Sequence, residues 1–229
     1  YRVIRYDTRG FGQTETEAVE FSNRADVAAV LDHVGAPSAY VLGASRGAMI
    51  ALDFTLERPE RVTALVVAAG GIGGWQPDGE PAPEIKAFWD DTERRWEAHE
   101  WEALAAMETA FWVDGPGQPE GRVDAALRER VHDWILSNYG AEKPEGQPRP
   151  LEPSAASRLG ELTVPLLVMV GDLDEPGTQA ACRHLAASVS GARLELFAGA
   201  AHMLNLEQPD RFSRLVLDFL AEVDAARVV

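Results

Sequence analysis

With 229 residues, 46% of them apolar, the chain has enough material for one sizeable core plus an insertion, and its composition carries no signature of disorder. A formal charge of −16 sets it against nucleic acid and anionic membrane surfaces, which carry the same sign and would repel it. The lone Cys182 has no disulfide partner and shares an apolar helical face with Ala181, Leu185 and Val189, and no apolar run reaches membrane-spanning length.

In chain order, residues 1–6 are expected to form a first strand. Ser22 reads as the N-cap of a helix in which Val27, Val30, Leu31 and Val34 recur at helical spacing and which stops at Gly35. Tyr40, Val41 and Leu42 form a short β-prone run that enters Gly43-Ala44-Ser45-Arg46-Gly47. A helix then spans 48–57, ended by Arg58-Pro59. Residues 62–68 read as a buried strand leading into Gly70 to Gly74. That glycine run lacks the strand and helix context of a dinucleotide site and is expected to be a flexible hinge.

Between 75 and 153 the strand rhythm stops. Two helical stretches, 84–111 and 123–139, lie between proline- and glycine-rich segments at 76–83, 115–121 and 142–153. Residues 164–170 are the most apolar run and end in Gly171-Asp172-Leu173-Asp174-Glu175, followed by a helix from near Thr178. A strand-like segment at 192–197 leads through small residues to His202. The last helix, 209–226, carries Phe212, Leu215, Val216, Phe219, Leu220 and Val223 on one face. Strands alternating with helices predict a parallel sheet covered on both faces.

The strand, Gly-x-Ser-x-Gly and helix succession proposes Ser45 as a nucleophile, because a tight turn at that junction lifts the hydroxyl clear of the sheet and leaves room only for glycines beside it. A serine hydroxyl needs a base, and the base needs an orienting group. Of the five histidines, His33, His99, His132 and His184 lie within helical patterns and read as solvated or packed. His202 sits on a loop at a strand's end, where catalytic groups concentrate. The orienting carboxylate should follow the buried strand at 164–170. There Asp172, Asp174 and Glu175 compete, each equally readable as a turn residue or helix cap.

Four blocks carry a resemblance. They are Tyr6-Asp7-Thr8-Arg9-Gly10-Phe11-Gly12, the Ser45 turn, Gly171-Asp172-Leu173-Asp174, and the run from Gly199 through His202 to Leu206-Glu207-Gln208-Pro209. Together they make the chain resemble the α/β-hydrolase family, in its lactonase- and esterase-like branch with a helical cap. The resemblance implies an α/β-hydrolase fold, a mostly parallel sheet flanked by helices, with a core of residues 1–74 and 154–229 and an inserted helical cap at 75–153. It selects Asp174 as the group that orients His202, His202 as the base for Ser45, and the Arg46 amide as an oxyanion donor. It implies a small-molecule substrate and no metal or other cofactor; the acidic charge adds that no nucleic-acid or membrane partner is expected, and a cytoplasmic location is expected. It also equates residues 1–6 with the fourth strand of the family's sheet. About fifty residues, including the strand whose following loop supplies a second oxyanion donor, are then expected upstream of Tyr1.

Within the insertion, Trp89, Phe111, Trp112 and Trp134, with Met203 beside the histidine, are candidates to roof an apolar pocket over Ser45. The alternative is that the aromatic residues only fasten a helical layer to the core. Asp7 and Arg9 are expected to brace a turn, and Glu207 to stabilise exposed amides at the start of the last helix. The Arg46 side chain is expected to pair with a buried carboxylate, with an acidic substrate as the alternative partner. The expected activity is hydrolysis of an ester or lactone through an acyl-enzyme on Ser45. The alternatives are carbon-carbon bond hydrolysis or acyl transfer by the same triad, and a ligand-binding protein without turnover. Serine at position 45 weighs against the dehalogenase and epoxide-hydrolase relatives, which carry aspartate there.

Overall fold

The computed structural model describes residues 1–139 and 146–227. The first part of the expected 142–153 linker lies outside the described residues. In chain order the elements are β1 (Glu20–Phe21), α1 (Asn23–His33), β2 (Ala39–Ala44), α2 (Arg46–Glu57), β3 (Val62–Ala68), α3 (Pro83–Glu97), α4 (Trp101–Thr109), a π-helical turn (Ala110–Asp114), α5 (Ala125–Tyr139), β4 (Gln147–Pro148), β5 (Leu166–Gly171), α6 (Pro176–Ser188), β6 (Arg193–Phe197), α7 (Leu204–Glu207) and α8 (Pro209–Arg227).

The alternation of side chains along β3 and β5 sorts the core into two layers. Leu65, Val67, Leu166, Val168 and Val170 face one side, while Ala64, Val66, Ala68, Leu167 and Met169 face the other. Strands apolar on both faces need cover on both, and the parallel order β2-β3-β5-β6 provides it through its helical crossovers. Residues of α1, α2 and α6 fill the first layer, and Phe219, Leu220 and Val223 of α8 fill the second. A separate two-residue pairing, β1 with β4, ties the segment before α1 to the chain returning from the helical insertion.

Local chemistry sets several boundaries where the sequence places them. Ser22 Oγ accepts from the Ala25 amide at 3.2 Å and caps α1, which gives way to Gly35 at a φ of 70°. Glu175 caps α6 by accepting from the amides of Gly177 and Thr178, with Pro176 at the first helical position.

Three expectations change. Residues 1–6 form no strand. A strand exists by pairing, and no ladder partner is offered to them among the described residues, so Tyr1 is held by side chains instead: its hydroxyl donates to Asp224 at 2.8 Å and its ring meets Tyr40 edge-on. The stretch from Gly70 to Gly74 is packed and is no free hinge, because Ile72 is buried in the core and the Gly73 carbonyl accepts from the Ala156 amide at 3.0 Å. The helix expected over 84–111 is broken at His99, which takes a φ of 56°. The break lets Trp96 and Trp101 meet edge to face at 5.2 Å, and both pack against Tyr139.

Cys182 lies fully buried on the inner face of α6 with its thiol donating to the Gly70 carbonyl at 3.5 Å, and burial pushes the thiol pKa up to about 12. A disulfide reagent such as DTNB should therefore leave the folded protein unmodified near neutral pH and label its single thiol once guanidinium chloride unfolds it. Stoichiometric labelling of the folded chain would contradict this packing.

Candidate active site

Ser45 occupies the junction of β2 and α2 with φ 51° and ψ −121°. A non-glycine residue held there costs on the order of 1–3 kcal/mol and persists only where its surroundings dictate it. They do so here through the main chain: the Ser45 amide donates to Ala68 at 2.9 Å, and its carbonyl accepts from Ala48 at 2.9 Å. A Cβ on Gly43 would fall 2.1 Å from the Gly47 carbonyl oxygen, so the close approach of strand and helix requires glycine at that position. Gly47 faces open space, so the expectation of two sterically forced glycines holds for Gly43 alone. The Arg46 amide opens α2 and has no partner within the helix. It stands beside Ser45 at the positive end of the helix dipole. The Ser45 side chain caps nothing, and its hydroxyl is not hydrogen-bonded to His202.

The other two candidates meet because β5 and β6 are parallel neighbours and their C-terminal loops lie side by side. A Cβ on Gly171 would sit 2.1 Å from the Ala200 oxygen, so glycine allows the loops to touch. The Leu173 amide then donates to Ala200 at 3.0 Å. Asp174, 3% exposed, presents both carboxylate oxygens to His202 Nδ1 at 2.9 and 3.0 Å, and Oδ1 also accepts from the Glu175 amide at 2.7 Å. The remaining carboxylates turn elsewhere: Asp172 accepts from the Gly199 amide at 2.7 Å, and Glu175 caps α6. With Nδ1–H donating to Asp174, the imidazole keeps a lone pair on Nε2. His202 is 8% exposed, its amide donates to the Trp112 carbonyl at 3.3 Å, and its ring lies 4.5 Å from the Trp112 ring.

Trp112 belongs to an aromatic cluster in the insertion. Phe88 and Phe111 stack, Trp112 meets Phe111 edge-on at 4.7 Å, and Trp89 lies 5.9 Å from Trp112. The structure thus brings Trp89, Phe111 and Trp112 into one cluster, of which Trp112 lies against the imidazole, with Met203 half-buried next in the chain. Phe88, which sequence reasoning passed over, completes the cluster; its spacing from Ile85, also buried, was the available signal. Trp134 does not join. It is 51% exposed, because α5 turns Val131 and Ile135 inward and leaves Trp134 on its edge.

Two charged side chains also depart from expectation. Arg46 pairs with no carboxylate among the described residues. Its guanidinium donates to Thr8 Oγ1 at 2.7 Å and lies over the Phe11 ring at 4.6 Å, and burial lowers its pKa. The loop at 7–12 supplies these partners and is braced by Asp7, which accepts from the Gln13 amide, and by a two-pronged Arg9–Asp26 bond. Arg46 lines a cavity of about 410 Å³ along α2, together with Met49, Asn23 and Asp53. Burial raises the pKa of Asp53, whose Oδ1 has no hydrogen-bond donor. Glu207 ends α7 and does not serve the start of α8. It accepts from the amides of Ala201 and Met203 and pairs with Arg122 at 2.6 Å. Nothing in the spacing of the sequence marked Arg122.

Residues 1–215 match the family described as the alpha/beta hydrolase family. The chain belongs to the α/β-hydrolase family. Its fold is the α/β-hydrolase fold, with a parallel sheet flanked by helices, and it is a hydrolase. A 2-hydroxy-6-oxononadienedioate/2-hydroxy-6-oxononatrienedioate hydrolase from Klebsiella pneumoniae is 31% identical over 227 residues, covering 96% of this chain and 77% of that protein. Among solved structures, an esterase from Thermogutta terrifontis superposes with a TM-score of 0.69 at 22% identity, over 94% of this chain and 78% of that one. The enol-lactonase from Burkholderia xenovorans gives 0.65 at 22% identity, over 95% and 80%. Among the described residues no helix is long and apolar enough to cross a membrane.

The two glycines of the serine turn should respond differently to a methyl group. Gly43→Ala forces an overlap with a backbone carbonyl and should cost about 1–3 kcal/mol or more, whereas Gly47→Ala, in the first turn of a helix with open space beside it, should be neutral or slightly stabilising. Thermal unfolding compares them, and equal losses would contradict the geometry of this turn.

Proposed function

We propose that the protein is a serine hydrolase that cleaves an ester or lactone of a small, largely apolar molecule. Ser45 Oγ attacks the carbonyl carbon while His202 Nε2 takes its proton. The oxyanion settles on the Arg46 amide, and His202 returns the proton to the departing oxygen. Water, deprotonated by the same imidazole, then releases the acyl group from Ser45. Asp174 holds the ring so that Nε2 faces the reaction. The observation that carries this reading is the buried Asp174–His202 pair on two loops at the sheet's C-terminal edge, where Ser45 is held strained at the start of α2. Substrate-free sites often leave the serine and imidazole unbonded until the carbonyl arrives, so the free hydroxyl is compatible with the role. In this reading residues 75–153 act as the cap, with Trp112 and its aromatic neighbours excluding water from the imidazole.

A second reading is favoured by Arg46. A half-buried guanidinium with no carboxylate partner among the described residues, on the residue that follows the nucleophile and lining a cavity along α2, suits an anionic group on the substrate. The Klebsiella pneumoniae relative is named for hydrolysis of a dioate. The same triad would then hydrolyse a carbon-carbon bond beside a ketone in an acidic substrate, with Arg46 holding a carboxylate.

A fluorophosphonate probe should label Ser45 in the wild-type protein and fail to label Ser45→Ala. His202→Ala should lower turnover by about 10³-fold or more, and a mild effect would remove it as the base. Asp174→Asn should lose about 10⁴-fold while Asp172→Asn retains most activity; equal losses would defeat the assignment. Assaying a neutral p-nitrophenyl ester against a 2-hydroxy-6-keto acid separates the two chemistries. Arg46→Met should raise KM for the acidic substrate alone if Arg46 binds its carboxylate, and change both alike if it only packs against Phe11.

A further inference from the structure

The side chain of Glu207 is only 3% exposed and straddles the candidate base. Its carboxylate accepts from the Ala201 amide at 3.0 Å and from the Met203 amide at 3.1 Å, the two residues on either side of His202. A carboxylate this buried needs a counter-charge. That charge comes from the helical insertion: Arg122, between the π-helical turn and α5, approaches Glu207 to 2.6 Å. The other donors of the guanidinium are taken up by main-chain carbonyls. Nε donates to Asp114 at 2.6 Å, one terminal nitrogen donates to Val113 at 2.6 Å, and the other donates to Gly199 at 2.8 Å.

One planar side chain therefore joins the end of the π-helical turn to both ends of the His202 loop, at Gly199 and at Glu207. The turn so held carries Trp112, whose carbonyl accepts the His202 amide and whose ring lies against the imidazole. The loop is thus fixed on one side by Asp174 and Asp172, and on the other by contacts that originate in the insertion. Lysine could supply the charge but not the diverging donors that reach four acceptors.

We propose that Arg122 and Glu207 are positioning residues, an insertion-to-core clamp that keeps His202 in register with Asp174 and makes the competence of the base depend on how the insertion is seated. The proposal rests on the reading of His202 as the base for Ser45. The carboxylate fixes the backbone on both sides of the imidazole, and the guanidinium fixes the carboxylate, so loss of either lets the ring drift from its productive position without removing any group that touches substrate.

The test measures the rate at which a fluorophosphonate labels Ser45, kcat and KM for a neutral ester, and the low-field NMR resonance of the His202 Nδ1 proton, in the wild type and in Arg122→Ala, Arg122→Lys and Glu207→Gln. Arg122→Ala is expected to label Ser45 about a hundredfold more slowly, to lose kcat with little change in KM, and to lose or broaden the low-field resonance. Added guanidinium ion should restore part of the labelling rate. Arg122→Lys and Glu207→Gln keep much of the packing and should show smaller losses of the same kind, so they carry the test if Arg122→Ala does not fold. Wild-type labelling rates and an unchanged resonance in folded variants would overturn the clamp. So would an equal loss that guanidinium cannot restore and that follows the melting temperature alone. If the wild-type protein itself is not labelled, the reading of Ser45 and His202 fails, and the resonance and its response to Arg122→Ala still decide whether the clamp holds the ring.

Discussion

The adjacency of β5 and β6, running parallel with their C-terminal loops in contact, is the constraint on which the site depends. Gly171 permits that contact, since any side chain there would collide with the carbonyls of Ala200 and Ala201. Once the loops touch, main-chain bonds from Leu173 and Asp172 to the following loop bring the Asp174 carboxylate within reach of His202 Nδ1. The pairing costs little reorganisation because both groups sit on short loops at the ends of adjacent strands, the fully buried β5 and its neighbour β6. Asp172 strengthens the same seam by accepting from Gly199, which explains why two acidic residues in one turn have separate tasks.

Ser45 is positioned by a different device. Its main chain is held in a left-handed conformation by a strand bond on one side and a helical bond on the other, while Gly43 lets helix and strand approach. The energy of that strain is small beside the burial of β3, against which β2 lies, so the packed sheet can maintain it. The serine and the imidazole are therefore held by separate parts of the sheet, and what remains adjustable is the space between them.

The insertion reaches the imidazole. Its aromatic cluster is continuous from Phe88 to Trp112, and Trp112 contacts His202 through both its ring and its carbonyl. Hydrophobic contact alone would let such a layer slide over the core. The buried Arg122–Glu207 pair, with its bonds to defined carbonyls, gives the contact a register.

Features that depend on neighbours along the chain were legible before any fold was known. The apolar runs at β3 and β5, the Ser22 cap, the apolar face of α8 and the strained turn at Ser45 all follow from period, capping and turn chemistry, which act over a few residues. Family resemblance reached Asp174, where spacing left three carboxylates open. Features that depend on pairing across the fold became visible in the folded chain. Residues 1–6 carry a strand-like pattern but have no ladder partner among the described residues, Trp134 falls on the wrong edge of α5, and Arg46 meets a threonine and a phenylalanine where a carboxylate was expected. Arg122 belongs to the same class. Its bonds span 77 residues to Gly199 and 85 to Glu207, separations at which no local pattern survives, because hydrogen bonds and ion pairs are satisfied by whatever the packed sheet brings near.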